Sequence, residues 1–494
     1  MSLWLGIHLS HISLDLLCPG WRTEAVVVFK HDDGRGGRAR GLAVHACSPM
    51  ARELGIRPGM QRATVDALAP GIRHAAYDAR AESAACRDAA LALLQYTPEL
   101  ALAQSNTLLL EVTASLSLFG GPLRIQRHVR LSLLRLGLSA VLSLAPTAQG
   151  AWLLANGEHA RRRRVMRLKS LAACLDGLPC DDLPAAAPYL AWLHGMGCRN
   201  LGTLRALPRA GLKRRCGVAL VQCLDQAYGR EAELFEWFTP PSAFRATFES
   251  MERLEHEQAV LHIAQRLVEQ LCGWLNARRR AVSRLVFSLH HERGRHAIPA
   301  TPVALALGAP AWQSEHLHAL LREHMSRIRL AAHVIAVTLD APVTEPRAPA
   351  PQSLFPDPGD SMDDRRRVLE LLIARLGHDH VLQPAPVADH RPERANRWAP
   401  LHHAAHKAKA ALPHPLRPFW LLPKPIALPI RRHRPVYGTP LRIISGPERI
   451  EDGWWDEGLT LRDYFIAEAE DGSRYWLFQE RADNSGWFLH GLFA

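Results

Sequence analysis

Hydrophobic and polar positions change period repeatedly along the chain, and each change marks an element. Residues 3–9, Leu-Trp-Leu-Gly-Ile-His-Leu, form a short apolar run that predicts a buried strand. Apolar runs at 24–29 and 39–46 predict a hairpin, with Asp32-Asp-Gly-Arg-Gly-Gly37 as its loop. Ser48 is placed to cap a short helix over 49–54, which Gly55 ends. An alanine-rich helix is expected over 81–96. The stretch Gln104–Gly121 then reads as a strand, a β-forming run with Val112 and Thr113 that stops at Gly120-Gly121. A helix over 122–136, a strand over 138–144 and a helix over 148–155 follow, the last closed by Asn156-Gly157.

Strand, inserted hairpin with helix, helix, strand, helix, strand is the order of an α+β layer with helices on one face. A ferredoxin-like unit with a small inserted lobe fits that order. Residues 166–238 are helical in pattern and contain Leu193-His-Gly-Met-Gly197-Cys-Arg-Asn-Leu-Gly202. Two helices joined by glycine turns beside Lys213, Arg214 and Arg215 suggest a helix–hairpin–helix, whose turn N–H groups can meet a DNA phosphate; an ordinary helical hairpin has the same pattern. Residues 244–340 alternate again: helix 256–277, strand 284–290, helix 312–327, strand 333–339. A proline-rich linker, 341–351, leads to Gln352-Ser-Leu354-Phe355-Pro and a helix over 363–376. Residues 384–435, rich in Pro, His and Arg, read as partly irregular. The last stretch, about 436–494, reads as β-rich, and its Trp454, Trp455, Trp476 and Trp487 are expected mostly in a core.

At 494 residues, three or four domains are expected, with 48% hydrophobic and 22% charged residues as in ordinary globular chains. There is no apolar run of membrane-spanning length and no basic leader, so neither a membrane partner nor a signal peptide is expected. Nine scattered cysteines, never spaced CxxC, read as reduced thiols of a cytoplasmic protein. A net charge of +12 favours a polyanionic partner. The charge concentrates at Arg161, Arg162, Arg163 and Arg164 with Arg167 and Lys169, and at Arg278, Arg279 and Arg280 with Arg284. Each cluster is a candidate DNA contact or a solvated face. His402, His403 and His406 have a loose ligand spacing, but with no cysteine or acid nearby no zinc site is expected.

Several local motifs support a family resemblance. Ala51-Arg52-Glu-Leu-Gly55-Ile-Arg-Pro-Gly59-Met60 resembles the fingers of Y-family translesion DNA polymerases, and Leu109-Leu-Glu111-Val-Thr113 with Leu118-Phe119-Gly120 resembles the strand after their metal-binding pair. Pro418-Phe-Trp420-Leu-Leu-Pro423, Ser445-Gly-Pro-Glu-Arg449-Ile-Glu-Asp-Gly453-Trp454-Trp455, Arg462-Asp463-Tyr464 and Leu489-His490-Gly491 resemble the tail of a catalytically inactive branch of that family, part of the bacterial mutasome. The resemblance implies a right hand: a palm over 1–165 with fingers at about 21–75, a helical thumb over 166–240 and a little-finger-like α+β domain over 244–340. A linker over 341–362 and an interaction region over 363–494 complete it.

Active palms use one acid from the first strand and an adjacent acidic pair to hold two metal ions about 4 Å apart. The alignment puts His8, with Ser10 two residues on, at the first and Asn106 and Thr107 at the pair. None is a hard anionic ligand for Mg²⁺. Of the tyrosine and arginine that grip triphosphate, only the arginine remains, at Arg52, with Pro49 in place of the tyrosine; Ala148 and Trp152 stand in place of the lysines. The resemblance therefore implies a scaffold without cofactor, not an enzyme. Its implied partners are DNA, a sliding clamp held by Gln352, Leu354 and Phe355, a RecA-like accessory subunit and an error-prone C-family polymerase. The clamp peptide has one residue fewer than usual between Gln and Leu-Phe. The alternatives are a low-fidelity polymerase using displaced acids, with Asp15, Asp78 and Glu111 as the acids within the palm, and a DNA-binding module without clamp contact.

Overall fold

A computed structural model describes residues 2–18, 20–31, 41–292, 298–326, 328–330, 332–347, 362–401, 416–456, 458–481 and 486–493. The loop 32–37, the peptide Gln352–Phe355 and His402, His403 and His406 lie outside the described residues. The chain divides into two compact units, Met1–Glu370 and Leu371–Ala494.

The first unit begins with β1 (Trp4–His8) and the short α1 (Ile12–Leu17). A small lobe follows: β2 (Val26–His31), β3 (Leu42–Cys47), α2 (Pro49–Glu53), α3 (Arg62–Leu68) and β4 (Arg73–Ala76). Its sheet, in the order β3-β2-β4, closes on Val27, Phe29, Val44, Ile56 and Val65. The Ser48 hydroxyl accepts the Ala51 N–H at 3.2 Å and caps α2 as its sequence position predicts.

The chain then returns through α4 (Ala79–Leu93), β5 (Leu100–Ala103), β6 (Thr107–Glu111), α5 (Pro122–Arg135), β7 (Val141–Ala145) and α6 (Ala148–Asn156). These strands and β1 form an antiparallel sheet in the order β5-β6-β1-β7. The strand expected over 104–121 is cut at both ends. Gln104, Ser105 and Asn106 form the three-residue hairpin turn between β5 and β6, with Ser105 and Asn106 at φ 56° and 49°. At the far end the Glu111 carboxylate accepts the Thr113 N–H at 3.2 Å, and Thr113–Ser115 coil into a 3₁₀ turn.

Helices lie on both faces of this sheet, not on one. Trp4, Gly6 and His8 alternate toward α6, and a side chain at Gly6 would come within 2.6 Å of the Ala151 carbonyl. Leu5, Ile7, Leu108 and Leu110 point the other way, fully buried, where α4 and α5 lie. On the α6 side the core continues into α7 (Leu168–Asp176), α8 (Leu190–Gly195), α9 (Leu201–Ala206) and α10 (Arg209–Ala227). Trp4, Leu109, Trp152, Leu171, Leu193 and Leu220 belong to this one cluster.

A second α/β layer completes the unit: β8 (Arg245–Leu254), α11 (Glu257–Ala277), β9 (Arg280–His291), β10 (Thr301–Ala311), α12 (Ser314–Met325) and β11 (Val334–Pro346). Its antiparallel sheet has the order β10-β9-β11-β8. The helix α13 (Met362–Leu376) comes next.

The second unit contains the pair β12 (Leu382–Pro386) and β13 (Asn396–Pro400), then β14 (Trp420–Leu428). A small ribbon follows, β15 (Ile430–Arg431), β16 (Arg434–Tyr437) and β17 (Thr439–Pro440). The last strands are β18 (Arg442–Asp452), β19 (Thr460–Glu468), β20 (Arg474–Glu480) and β21 (Trp487–Leu492). The main sheet runs β14-β21-β20-β19-β18, so the β-rich part takes in Trp420–Leu428, a stretch whose proline content reads as irregular. Edge position explains this: a proline is tolerated where one side of a strand has no partner.

The tryptophans of this unit divide. Trp476 is core and stacks on Tyr464 at 4.1 Å, whereas Trp454 and Trp455 are 74% and 59% exposed. Expecting most of them in the core fails for this pair. Their loop is held by Arg391, which donates to the carboxylates of Asp389 (2.7 Å) and Asp456 (2.8 Å) and to the Gly458 carbonyl (3.0 Å).

Burial lowers the pKa of His490 to about 4, and its Nδ1 lies 2.8 Å from the Tyr464 hydroxyl. The folded protein therefore binds fewer protons than the unfolded chain between about pH 6.5 and 4. Stability contributed by neutral His490 is complete above that window and falls with pH through it. A His490→Gln variant should show a shallower loss of melting temperature over this range than the parent; equal slopes would contradict the assignment.

Candidate functional site

The β1–β6 register sets His8 opposite Thr107, at the end of the sheet that carries the Ser105-Asn106 turn. The His8 Nδ1 lies 2.9 Å from the Ser105 carbonyl, which can only accept, and 3.3 Å from the Thr107 hydroxyl. Burial lowers the His8 pKa; the Ser105 carbonyl opposes this, and the charges of His11 and Arg163 add to it. Thr107 is 1% exposed, and its hydroxyl accepts from the Asn156 amide at 3.0 Å. Asn156 comes from the last turn of α6. One turn earlier, Trp152 donates its indole N–H to the Gln104 carbonyl at 3.1 Å. The indole closes the floor of the site where the resemblance puts a phosphate-binding lysine.

Asn106 is drawn to the other side. Its amide donates to Glu82 at 3.0 Å, and the Cys86 thiol donates to its carbonyl oxygen at 3.7 Å. Ser10 is exposed and pairs with the neighbouring His11 at 2.8 Å. The structure thus brings together His8 and Thr107, joins them to Trp152 and Asn156, and leaves Ser10 and Asn106 with other partners.

Sequence reasoning missed Glu82. It is buried and accepts from Ser13, Asn106 and the Tyr77 hydroxyl (3.3 Å), with His45 at 3.9 Å. Burial pushes its pKa up, but hydrogen bonds from His45, Ser13 and Asn106 outweigh that and hold it below the usual carboxylate range. The carboxylate ties the inserted lobe (His45, Tyr77) to the sheet (Ser13, Asn106). A signal was present: Glu82 lies at i, i+4, i+7 and i+11 with Cys86, Ala89 and Leu93, on the apolar stripe of α4.

The three acids weighed as replacements serve other groups. Asp15 accepts the Ser139 N–H at 2.7 Å and the Trp21 indole at 2.9 Å. Asp78 caps α4 through the N–H groups of Arg80 and Ala81. Glu111 pairs opposite Trp4, at the end of β1 away from His8. Among the described residues no three His, Cys, Asp or Glu side chains are grouped to hold a metal ion. Charges of both signs reach His11, Asp15 first and then Arg52, which is exposed at the end of α2, while Arg163 acts on His8.

Among the basic residues, Arg161, Arg162, Arg164, Lys213 and Arg214 are exposed. Arg163 is committed to the C-terminal end of α6, donating to the carbonyls of Leu154 (2.8 Å), Ala155 (3.0 Å) and Gly157 (3.2 Å). Arg278 donates to the Pro240 carbonyl at 2.8 Å and Arg280 to the Thr344 hydroxyl at 2.7 Å. Arg279 occupies a left-handed turn at φ 51°, and Arg284 is exposed on β9. The loop between α8 and α9 turns on Gly197 at φ 76°, and Asn200 caps α9 in a capping box.

Residues 13–156 match the model of the impB/mucB/samB family. Among solved structures, a Y-family DNA polymerase chimera aligns with 69% of this chain and 98% of its own, at 15% identity and a TM-score of 0.40. DinB from Sulfolobus solfataricus aligns over 70% and 100%, at 15% identity and 0.39. The family match lies within the first unit, and the second unit adds the β-rich sheet of Trp420–Leu492. The chain is similar to Protein ImuB of Caulobacter vibrioides, with 28% identity over 466 residues that cover 89% of this chain and 100% of that protein. Two strains of that organism carry the match equally. Among the described residues no helix is long and apolar enough to cross a membrane.

Proposed function

We propose that the chain is a non-catalytic scaffold for damage-induced translesion synthesis and mutagenesis. It binds DNA and a sliding clamp and recruits an error-prone C-family polymerase, together with a RecA-like accessory subunit. The observation that carries this reading is the state of the His8–Thr107 site. Two-metal nucleotidyl transfer needs carboxylates facing a shared, open cation position. Here the His8 imidazole meets the Ser105 carbonyl, the buried Thr107 hydroxyl accepts from the Asn156 amide, the Trp152 indole donates to the Gln104 carbonyl, and the Glu82 carboxylate is taken up by hydrogen bonds between lobe and sheet.

DNA contact is assigned to the exposed basic residues: Arg161, Arg162 and Arg164 after α6, Lys213 and Arg214 on α10, and Arg284 on β9. Arg163, Arg278 and Arg280 have internal partners and contribute less. The clamp is assigned to Gln352, Leu354 and Phe355. The exposed Trp454–Trp455 pair, on its arginine-anchored loop, is the surface offered to a protein partner.

Two measurements test the reading. Purified protein with primed template, nucleotides and Mg²⁺ or Mn²⁺ should give no extension product. Duplex affinity should fall steeply with salt, and Arg161→Ala/Arg162→Ala/Arg164→Ala should lower the slope of log K against log salt by about 2–3, at roughly 0.9 per phosphate contact. Extension that Glu111→Ala or Asp15→Ala abolishes, or a slope unchanged in the triple variant, would contradict it.

A further inference from the structure

The helix α5 carries apolar residues on two sides. Ile125, Val129 and Leu133 are buried, together with Gln126 and Ser132. Their spacing, i, i+4 and i+8, already supplies the apolar stripe that packing the helix requires. Yet Leu123, Leu131 and Leu134 are 61%, 43% and 54% exposed, and Leu118, just ahead of the helix, is exposed as well. With Arg127 and Arg130 the three leucines recur at i, i+4, i+7, i+8 and i+11, a single stripe of a helix. That stripe is about three turns long, roughly 16 Å at about 1.5 Å per residue.

The charge on this helix has one sign. No acid stands between Pro122 and Leu136, whereas Arg124, Arg127, Arg130 and Arg135 all do. Arg135 donates to the buried Glu269 of α11 at 3.3 Å, a carboxylate that Gln95 (3.2 Å), Ser314 (3.0 Å) and His318 (2.7 Å) also hold. The other three arginines are exposed and have no hydrogen-bond or ion-pair partner among the described residues. Arg127 and Arg130 lie about one turn apart as like charges, a repulsion that a neighbouring anion relieves.

A single exposed leucine is ordinary; three on one stripe, interleaved with unpaired arginines, make a contact strip. Phosphate contact would use the arginines and leave the leucines in water. A membrane-surface helix keeps its basic residues off its apolar face, but here Arg127 and Arg130 stand among the leucines. A helix whose leucine seam is flanked by carboxylates satisfies both kinds of position. We propose that the outer face of α5 is a docking strip for an acidic amphipathic helix of a partner protein. Leu123, Leu131 and Leu134 take the apolar seam of that helix, and Arg127 and Arg130 take its carboxylates. This assignment rests on neither the DNA-binding nor the clamp-binding reading.

The test titrates the full chain against a fluorescein-labelled peptide of three heptads, with leucine at a and d and glutamate at e and g. Like charges at e and g keep this probe from pairing with itself. Fluorescence anisotropy should show binding to the parent. Leu123→Ala/Leu131→Ala/Leu134→Ala and Arg127→Glu/Arg130→Glu should each weaken it about tenfold or more. Both variants should keep the circular dichroism and melting temperature of the parent, because every changed side chain is exposed. The charge-reversed variant should in turn bind the same peptide with lysine in place of glutamate, which the parent refuses. No binding by the parent, equal affinity for a scrambled peptide of the same composition, or affinity unchanged in either variant overturns the proposal. So does loss, in the leucine variant, of binding to a duplex of about 20 base pairs or to phosphatidylserine-containing vesicles, which would assign the strip to nucleic acid or to lipid.

Discussion

Acids placed at His8, Asn106 and Thr107 are not expected to make a polymerase. The variant His8→Asp/Asn106→Asp/Thr107→Glu is expected to give no primer extension with Mg²⁺ or Mn²⁺ and to be markedly less stable than the parent. Asn106→Asp removes the amide that donates to Glu82 at 3.0 Å and sets a second carboxylate against it. His8→Asp replaces a donor to the Ser105 carbonyl with an anion facing that carbonyl at 2.9 Å. Thr107→Glu forces a longer, charged side chain into a position 1% exposed, against Asn156. A buried carboxylate without a partner costs about 3–5 kcal/mol, a large share of the roughly 5–15 kcal/mol that holds a domain together. A urea melt checks the stability and a primer-extension gel the chemistry. A normal melt with templated incorporation would mean that the vacated site still fits two metal ions, and the scaffold reading would fall.

The second large effect concerns the linker. Leu354→Ala/Phe355→Ala should weaken capture by an immobilised sliding clamp by about 100-fold or more, because apolar anchors filling pockets carry most of the energy of a short peptide interface. Gln352→Ala should cost about tenfold, the loss of one rim hydrogen bond. The flanks are rich in proline, a residue with little backbone freedom to lose, which lowers the entropy cost of binding. Surface plasmon resonance on the full chain reads both. Equal affinities for parent and double variant would remove Gln352–Phe355 from the clamp contact.

The linear order of elements was legible because period and punctuation agree. The helix α5 begins at Pro122 after Gly121, and α6 begins with Thr147 accepting the Gly150 N–H at 3.1 Å. The strand over 104–121 was misread because the apolar run continues across its ends. What cuts it is local: two residues at positive φ before Thr107, and a carboxylate that folds back after Glu111. The early start of the last sheet was hidden because proline content speaks for the isolated segment, whereas β14 is formed by pairing with β21, more than fifty residues away.

By itself the sequence determined which functional groups these positions can offer. His8, Asn106, Thr107, Ala148 and Trp152 carry no carboxylate or ammonium wherever the fold places them, and residue identity is settled before folding. It also determined the excess of basic charge and the order of strands and helices, since both are properties of the chain read in one dimension. Tertiary structure alone decided which of those residues meet. His8 faces Thr107 because of an antiparallel register, and Trp152 and Asn156 reach the site because α6 lies on the β1 face away from α4. It also gave Glu82 and Glu269 their roles. An acid on a helix is a solvated charge until other elements bury it, and the partners that hold these two lie up to 69 and 174 residues away. Burial and long-range pairing set the energy of a charge, and neither is written in its neighbours along the chain.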